Sequence, residues 1–287
     1  MFDPKCNKFP YPVETDRHYL VVKKDDGTVF DENYPYIDTS KKFARKVKFV
    51  RFLLAVIVKP LVRIRLNLRI KGKENLKKYK DVLDQGFISV CNHVHMWDYL
   101  GIITTISKRK PKIISWDKNI SGENGKLIRM TGGIPFPSDN FRGQAKFFRA
   151  TTDYIKNGGW LHIYAEGSMW EFYQPIRPFK SGAAYFSVKC NRPILPLAYS
   201  YRKNGWIRRK IFKSPASFTL NIGEPIYPDT SLTKLEAEEK LTIEAHEAVC
   251  RLAGIDPKDD YYPPIFKDSK RVDYYTKEYG IGYKKSW

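Results

Sequence analysis

The chain has no run of about 18 apolar residues, the length needed to cross a bilayer as a helix. Its opening segment, MFDPKCNKFP, lacks the apolar stretch of a secretory signal, so a protein on the cytoplasmic side is expected. The four cysteines, Cys6, Cys91, Cys190 and Cys250, form no close pair. That argues against a disulfide framework and fits a reducing compartment. Histidines number only five, and His18, His162 and His246 stand in no recognised metal-site pattern. No G-x-S-x-G elbow marks a serine nucleophile, and no internal repeat is visible. Acidic residues are also scarce: 31 Asp and Glu against 51 Lys and Arg give a formal net charge of +20. Such a charge attracts polyanions. Nucleic acid is the default partner, but no zinc-finger, helix-turn-helix or RNA-binding-sheet signature accompanies the charge; an anionic lipid surface is the alternative, favoured by the motifs described below.

At 287 residues and 42% hydrophobic, the chain can bury one large core. Residues 1–40 are rich in Tyr, Asp and Pro, and Asp26-Gly27 signals the turn of a short hairpin. In the next region, 41–69, the segment KKFARKVKFVRFLLAVIVKP places Phe43, Val47, Val50, Leu54 and Ile57 at alternating four- and three-residue steps. That is one face of a helix. Six Lys or Arg fall between 41 and 51, and Phe52 to Val58 is apolar all round. An apolar stretch this short spans about 10 Å, against about 30 Å of hydrocarbon. Such a helix either packs on the domain or lies in a membrane interface. Its cations favour the interface, since each near an anionic leaflet contributes about 1 kcal/mol. Peripheral attachment at the cytoplasmic face of the cell membrane is the expectation.

Region 70–254 alternates short apolar runs with helix patterns. GFISVC, PKIISW, WLHIYA, ILPLAYS and SFTLNI read as strands; 98–107, 140–157, 181–190 and 232–253 read as helices. The last has a capping box, Thr233 and Glu236, and stops at Gly254. This alternation predicts an α/β domain with a mixed, largely parallel sheet and flanking helices. Ligands bind beyond the strand carboxyl ends in such sheets. The tail, 255–287, is rich in Tyr and Lys, and wraps the domain or touches a membrane interface.

The segment SVCNHVHMWDYLG, residues 89–101, carries the chemistry. An apolar strand delivers Asn92 and His93, and Asp98 follows five positions on. An imidazole is largely unprotonated at neutral pH and accepts a proton if a carboxylate fixes its tautomer. Five positions suit a strand-to-helix turn better than one helix face. The competing readings are a structural His, an Asp that serves only the helix dipole, and an H-x-H metal pair with His95. A metal needs further ligands, and none stands at a suitable spacing, so no metal is expected.

Downstream, IYAEGSMW at 163–170 and RPFKSGAAYFSVKCNRPILPLAY at 177–199 complete a pattern. With Asn92, His93 and Asp98 matching N-H-x4-D, the chain resembles the glycerolipid (lysophospholipid) acyltransferase family over roughly 70–230. Tyr164, Ala165, Glu166, Gly167, Ser168 and Met169 match the family's F-P-E-G-T-R in part. Phe179, Lys180, Gly182 and Ala183 match F-K-x-G-A, and ILPLA matches the apolar V-P-V strand. The resemblance implies a glycerophosphate-acyltransferase-like fold. It also implies transfer of an acyl chain from acyl-CoA or acyl carrier protein to a lysophospholipid, without a bound cofactor. His93 would be the base and Asp98 its orienting acid, with Asn92, Glu166, Gly167 and Ser168 at the substrate.

Two departures bear on the acceptor. The family's second motif carries an arginine where GGIPFPSDN has Ser138, and the third-motif arginine is Met169. Both guanidiniums that would fork onto a substrate phosphate are therefore displaced. Arg142, Lys146, Arg177 and Lys180 are the nearby cations that would take their place. Glu166 stays open between acceptor binding and orienting a loop. Backbone N–H groups beside His93 and Gly167 are the candidate oxyanion donors. The resemblance implies 1-acyl-sn-glycerol-3-phosphate as the acceptor, giving phosphatidic acid; another lysolipid acceptor, a non-catalytic membrane-binding module and a hydrolase using the same pair are the rival readings.

Overall fold

The computed structural model describes residues 25–106, 111–170, 173, 175–211 and 216–257. Seven strands form one sheet: β1 (Arg69–Lys71), β2 (Phe87–Val90), β3 (Pro111–Trp116), β4 (Gly133–Phe136), β5 (Trp160–Ile163), β6 (Ile194–Arg202) and β7 (Ser217–Ile222). Their order is β1-β7-β6-β2-β5-β3-β4, and every pairing is parallel except β6 with β7. The sheet is thus α/β, mixed and mostly parallel, as the alternation predicts.

Both faces are covered, which is why the central strands read as nearly unbroken apolar runs. One face turns Ile88, Val90, Leu161, Ile163 and Ile194 toward α4 (Phe141–Lys156), α5 (Gly182–Cys190) and α7 (Lys234–Ala253). The other turns Phe87, Cys91, Trp160, Leu195 and Leu197 toward α2 (Lys59–Leu66) and α3 (Asp98–Thr105). Thr233 caps α7 reciprocally with Glu236, and Gly254 ends it in the left-handed region at φ 75°. Short helices at Lys73–Lys78, Lys80–Asp84, Asp117–Ser121 and Gly125–Thr131 fill the remaining connections.

The basic helix α1 (Lys41–Leu53) begins at Ser40, whose Oγ accepts the Phe43 N–H. It runs on through a π-helical stretch, Leu54–Val58, into α2. Pro60 explains the change of pitch: it has no N–H, and its ring crowds the carbonyl four residues back. The Lys59 N–H accordingly reaches the Leu54 carbonyl, five back. Val62 and Leu66 of α2 are buried, whereas α1 buries none of its side chains. Among the described residues no helix is long and apolar enough to cross a membrane.

The sequence reading sets residues 1–40 apart from the domain, but the described part, 25–40, is built into it. Phe30, Tyr34 and Tyr36 form an edge-on ring series with Phe147 of α4 and are buried in the core. A Cβ at Gly143 would come within 2.2 Å of the Phe30 carbonyl, so glycine there admits the segment. The hairpin expected around Asp26-Gly27 falls mostly outside the described residues. Gly27 takes φ 75°, and among the described residues 25–40 there is no strand. Of the expected tail only 255–257 is described, and Ile255 packs against the core.

Candidate active site

Strand alternation builds the site from one face of two neighbouring strands. β2 and β5 are in register, Phe87 beside Trp160 and Ser89 beside His162. Phe87 and Trp160 stack, with ring centres 5.5 Å apart. Ser89 Oγ accepts the Trp160 indole N–H at 2.6 Å and lies 2.8 Å from His162 Nδ1. Continuing two residues at a time brings Tyr164 and then His93 onto the same face. Their rings stack 3.8 Å apart, tilted by 13°.

Asp98 opens α3 and is fully buried. Its Oδ2 lies 2.8 Å from His93 Nδ1 and accepts the N–H groups of Val94 and His95 at 2.9 and 3.2 Å. Its Oδ1 accepts the Tyr164 hydroxyl at 2.7 Å. Burial alone would raise this carboxyl, but His93, the Tyr164 hydroxyl and the backbone donor together hold it below the usual carboxylate range. The ionised carboxylate fixes Nδ1 as the donor, so Nε2 is the acceptor nitrogen. The His93 side chain is 22% exposed, against none for Asp98. The dyad therefore presents one basic nitrogen outward on a fixed, charge-stabilised ring.

A second buried carboxylate braces the turn from the other side. Glu166 Oε1 accepts the His93 N–H at 3.0 Å. Its Oε2 accepts the backbone N–H and Nε of Arg177, at 3.1 and 2.8 Å. Arg177 is itself wholly buried, donates to Ser168 Oγ at 2.6 Å and to the Ser168 carbonyl, and lies over the Trp170 ring. Asn92, also buried, bonds both backbone groups of Tyr199: its Nδ2 donates to the carbonyl at 2.9 Å and its Oδ1 accepts the N–H at 2.7 Å. Gly167 takes φ 83°, and the Lys180 side chain lies across it, Cε 3.0 Å from where a Cβ would stand.

The acyltransferase family model matches residues 67–200, a span that holds all of this geometry. Over this span the chain is similar to an acyltransferase domain. It is 27% identical over 148 residues to the human 1-acyl-sn-glycerol-3-phosphate acyltransferase beta, covering 51% of this chain and 52% of that protein. The chain thus spans about half the length of the curated relative it matches. It is also similar to the crystal structure of the 1-acyl-sn-glycerophosphate acyltransferase PlsC from Thermotoga maritima, at 20% identity and a TM-score of 0.44. That match covers 74% of this chain and 84% of the other.

Within 67–200, the residues expected at the site divide by burial. His93 and Lys180 stand at or near accessible surface, beside Gly167. Asn92, Asp98, Glu166 and Ser168 are buried and hold the turns that present His93. Arg177, expected as a substrate cation, is instead the internal counterion of Glu166. With its guanidinium inside the fold it does not face a headgroup. Ser168 likewise accepts from Arg177. Arg142 is exposed at the start of α4 and pairs with Glu32 at 3.5 Å. Its strand of departure, β4, is three places from β2 in the sheet, about 14 Å away. Ser138 is exposed, with its N–H on Asp117, and Met169 is buried.

The expected oxyanion donors also differ. The His93 N–H is held by Glu166, and the Gly167 N–H by the Tyr164 carbonyl at 3.0 Å. His95 turns from His93: its Nδ1 accepts the Trp97 N–H at 3.0 Å, and its ring meets Phe218 edge-on. Sequence reasoning missed Tyr164 as a partner of Asp98. The period-two run Trp160, His162, Tyr164 in β5 was the available signal, because it puts all three on the face of His93.

Proposed function

We propose that this protein moves a fatty acyl chain from a thioester to the free hydroxyl of a lysophospholipid. Its preferred acceptor is 1-acyl-sn-glycerol-3-phosphate, giving phosphatidic acid for phospholipid biosynthesis. The observation that carries the reading is the His93–Asp98 pair, with Nδ1 held and Nε2 outward. Nε2 takes the hydroxyl proton as the oxygen attacks the thioester carbonyl, a contribution of about 10²–10⁴-fold. The tetrahedral intermediate collapses, the C–S bond breaks, and the imidazolium returns the proton to the departing thiolate. The steps balance without a metal or resident cofactor, and the thioester of coenzyme A or of acyl carrier protein serves equally.

A phosphate monoester at the acceptor needs cations, because an unpaired buried phosphate is severely penalised. Lys180, exposed and lying across Gly167, supports this role among the expected cations, since Arg177 is buried against Glu166; Arg142 starts from the far edge strand of the sheet. The basic helix α1, with no buried side chain, supports peripheral docking on anionic lipid at the cytoplasmic face of the membrane.

Product analysis with a labelled acyl thioester, with and without lysolipid, tests the reading. Labelled phosphatidic acid from lysophosphatidic acid is expected, with Lys180→Ala raising KM for that acceptor more than for the thioester. Label released only as free acid points to a hydrolase, and no turnover of any thioester points to a binding module.

A further inference from the structure

The connection from β6 to β7 carries α6 (Trp206–Ile211), WIRRKI, which no sequence motif singled out. β6 runs parallel to β2, while β7 and β1 run the other way. The end of β6, the start of β7, α6 and the last turn of α2 therefore all lie at the sheet end where His93 stands. A polar knot ties them together. Arg202 donates to the carbonyls of Asn67 and Phe218, and Asn67 Nδ2 donates to Ser217 Oγ at 2.8 Å. Ser217 in turn bonds Asn204 at the root of α6. Arg208 of α6 donates to the Ile64 carbonyl of α2 at 2.7 Å.

Anchored in this way, α6 still turns its large apolar groups outward. Trp206, Ile207 and Ile211 are 66%, 60% and 69% exposed. On α2, which Arg208 ties to α6, Leu61 and Ile64 are half exposed, and Ile57, Val56, Phe52 and Phe49 are exposed along the π-helical stretch and α1. Exposed apolar surface of this extent marks an interaction site. The charge around it has one sign: residues 41–73 and 201–223 contain no Asp or Glu, while Lys59, Arg63, Arg65, Arg208 and Lys210 border the patch. A second copy of the chain would bring like charge against like. An apolar interior with an anionic rim is the surface that matches both features.

We propose that α6 and the adjoining face of α2 dock together on an anionic bilayer at the active-site end of the sheet. Two separate elements fix orientation where a single helix would leave rotation about its axis. On the acyl-transfer reading, the acceptor then passes from the bilayer to His93 without crossing water.

The test is vesicle co-sedimentation of the full chain carrying Trp206→Ala, Ile207→Asn and Ile211→Asn, on phosphatidylcholine with phosphatidylglycerol. Binding should weaken by about ten-fold or more, since each large side chain withdrawn from the interface costs several-fold. Parent binding should fall as salt rises and on phosphatidylcholine alone. Turnover of a short-chain monomeric acceptor should be unchanged, while KM for a vesicle-embedded acceptor rises. Parent-like vesicle binding by the triple variant overturns the proposal. So does a parallel loss of turnover on the monomeric acceptor, which would make α6 part of the site. Self-association of the parent without lipid, abolished in the variant, would show that a second copy covers the patch. Vesicle binding is read without thioester, so failure of the acyl-transfer reading leaves this measurement independent.

Discussion

Asp98 and Glu166 are both buried carboxylates that hold the His93 turn, yet their partners differ in kind. Asp98 faces an imidazole that is partly exposed. Glu166 faces a guanidinium sealed inside the protein, which stays charged at any working pH. On the proposed acyl-transfer reading, the charge balance in the first region changes during the reaction; in the second it does not. On that reading the difference separates the pair that reacts from the frame that holds it, although both carboxylates are buried.

His93→Ala should cut turnover by about 10²–10⁴-fold in a protein that still folds, the expectation for a lost general base, because Asp98 keeps the Tyr164 hydroxyl and two backbone donors. Asp98→Asn should also lose a large part of the rate, through the wrong tautomer. Near-parent turnover in a folded His93→Ala protein would erase the distinction between the two regions. The opposite signature belongs to Arg177. Arg177→Met should cost about 3–5 kcal/mol of stability in urea unfolding, because Glu166 would be left buried and unpaired. Adding Glu166→Gln should restore part of that stability. A raised KM for acceptor with unchanged stability would instead return Arg177 to the substrate.

Tyr164→Phe is the finest probe. It removes one of the donors to Asp98 and leaves the ring stack on His93. A less satisfied carboxylate is more basic and holds the imidazolium more strongly. The acid limb of kcat/KM should therefore move to higher pH, with turnover on the alkaline side little altered. Several surrounding groups are moved away from that limb. Burial raises Cys91, Tyr99 and Tyr199 and pushes His162 down to about 3. Glu166 is tied to Arg177, and His95 faces Trp97 and Phe218. An unmoved limb would make Tyr164 a packing residue only.

The long elements were legible because their pattern is local. α7 declared its cap, length and stop within its own residues, and the five central strands stood out as apolar runs. β4 did not, since Gly-Gly-Ile-Pro-Phe breaks strand propensity; its place at the sheet edge is where proline is tolerated. β1, three residues with mostly polar side chains, shows no apolar run. At the site, the spacing of His93 and Asp98 predicted their meeting, because turn and helix start are neighbours in sequence. The Glu166–Arg177 lock was hidden for the opposite reason. A basic residue in a loop reads as solvent-facing, and only the fold shows the chain returning beneath the turn.

Asn92 supplies with its side chain the pair of bonds that a strand residue would make with its backbone. The main chain is thereby released to turn one residue before His93. The segment that follows owes the dyad only the N–H groups of Val94 and His95, which any residue but proline provides. Met96, at the crest of this turn, is 43% exposed. Next to the dyad there is thus a position whose side chain can change in size and polarity without disturbing the bonds that hold His93 and Asp98.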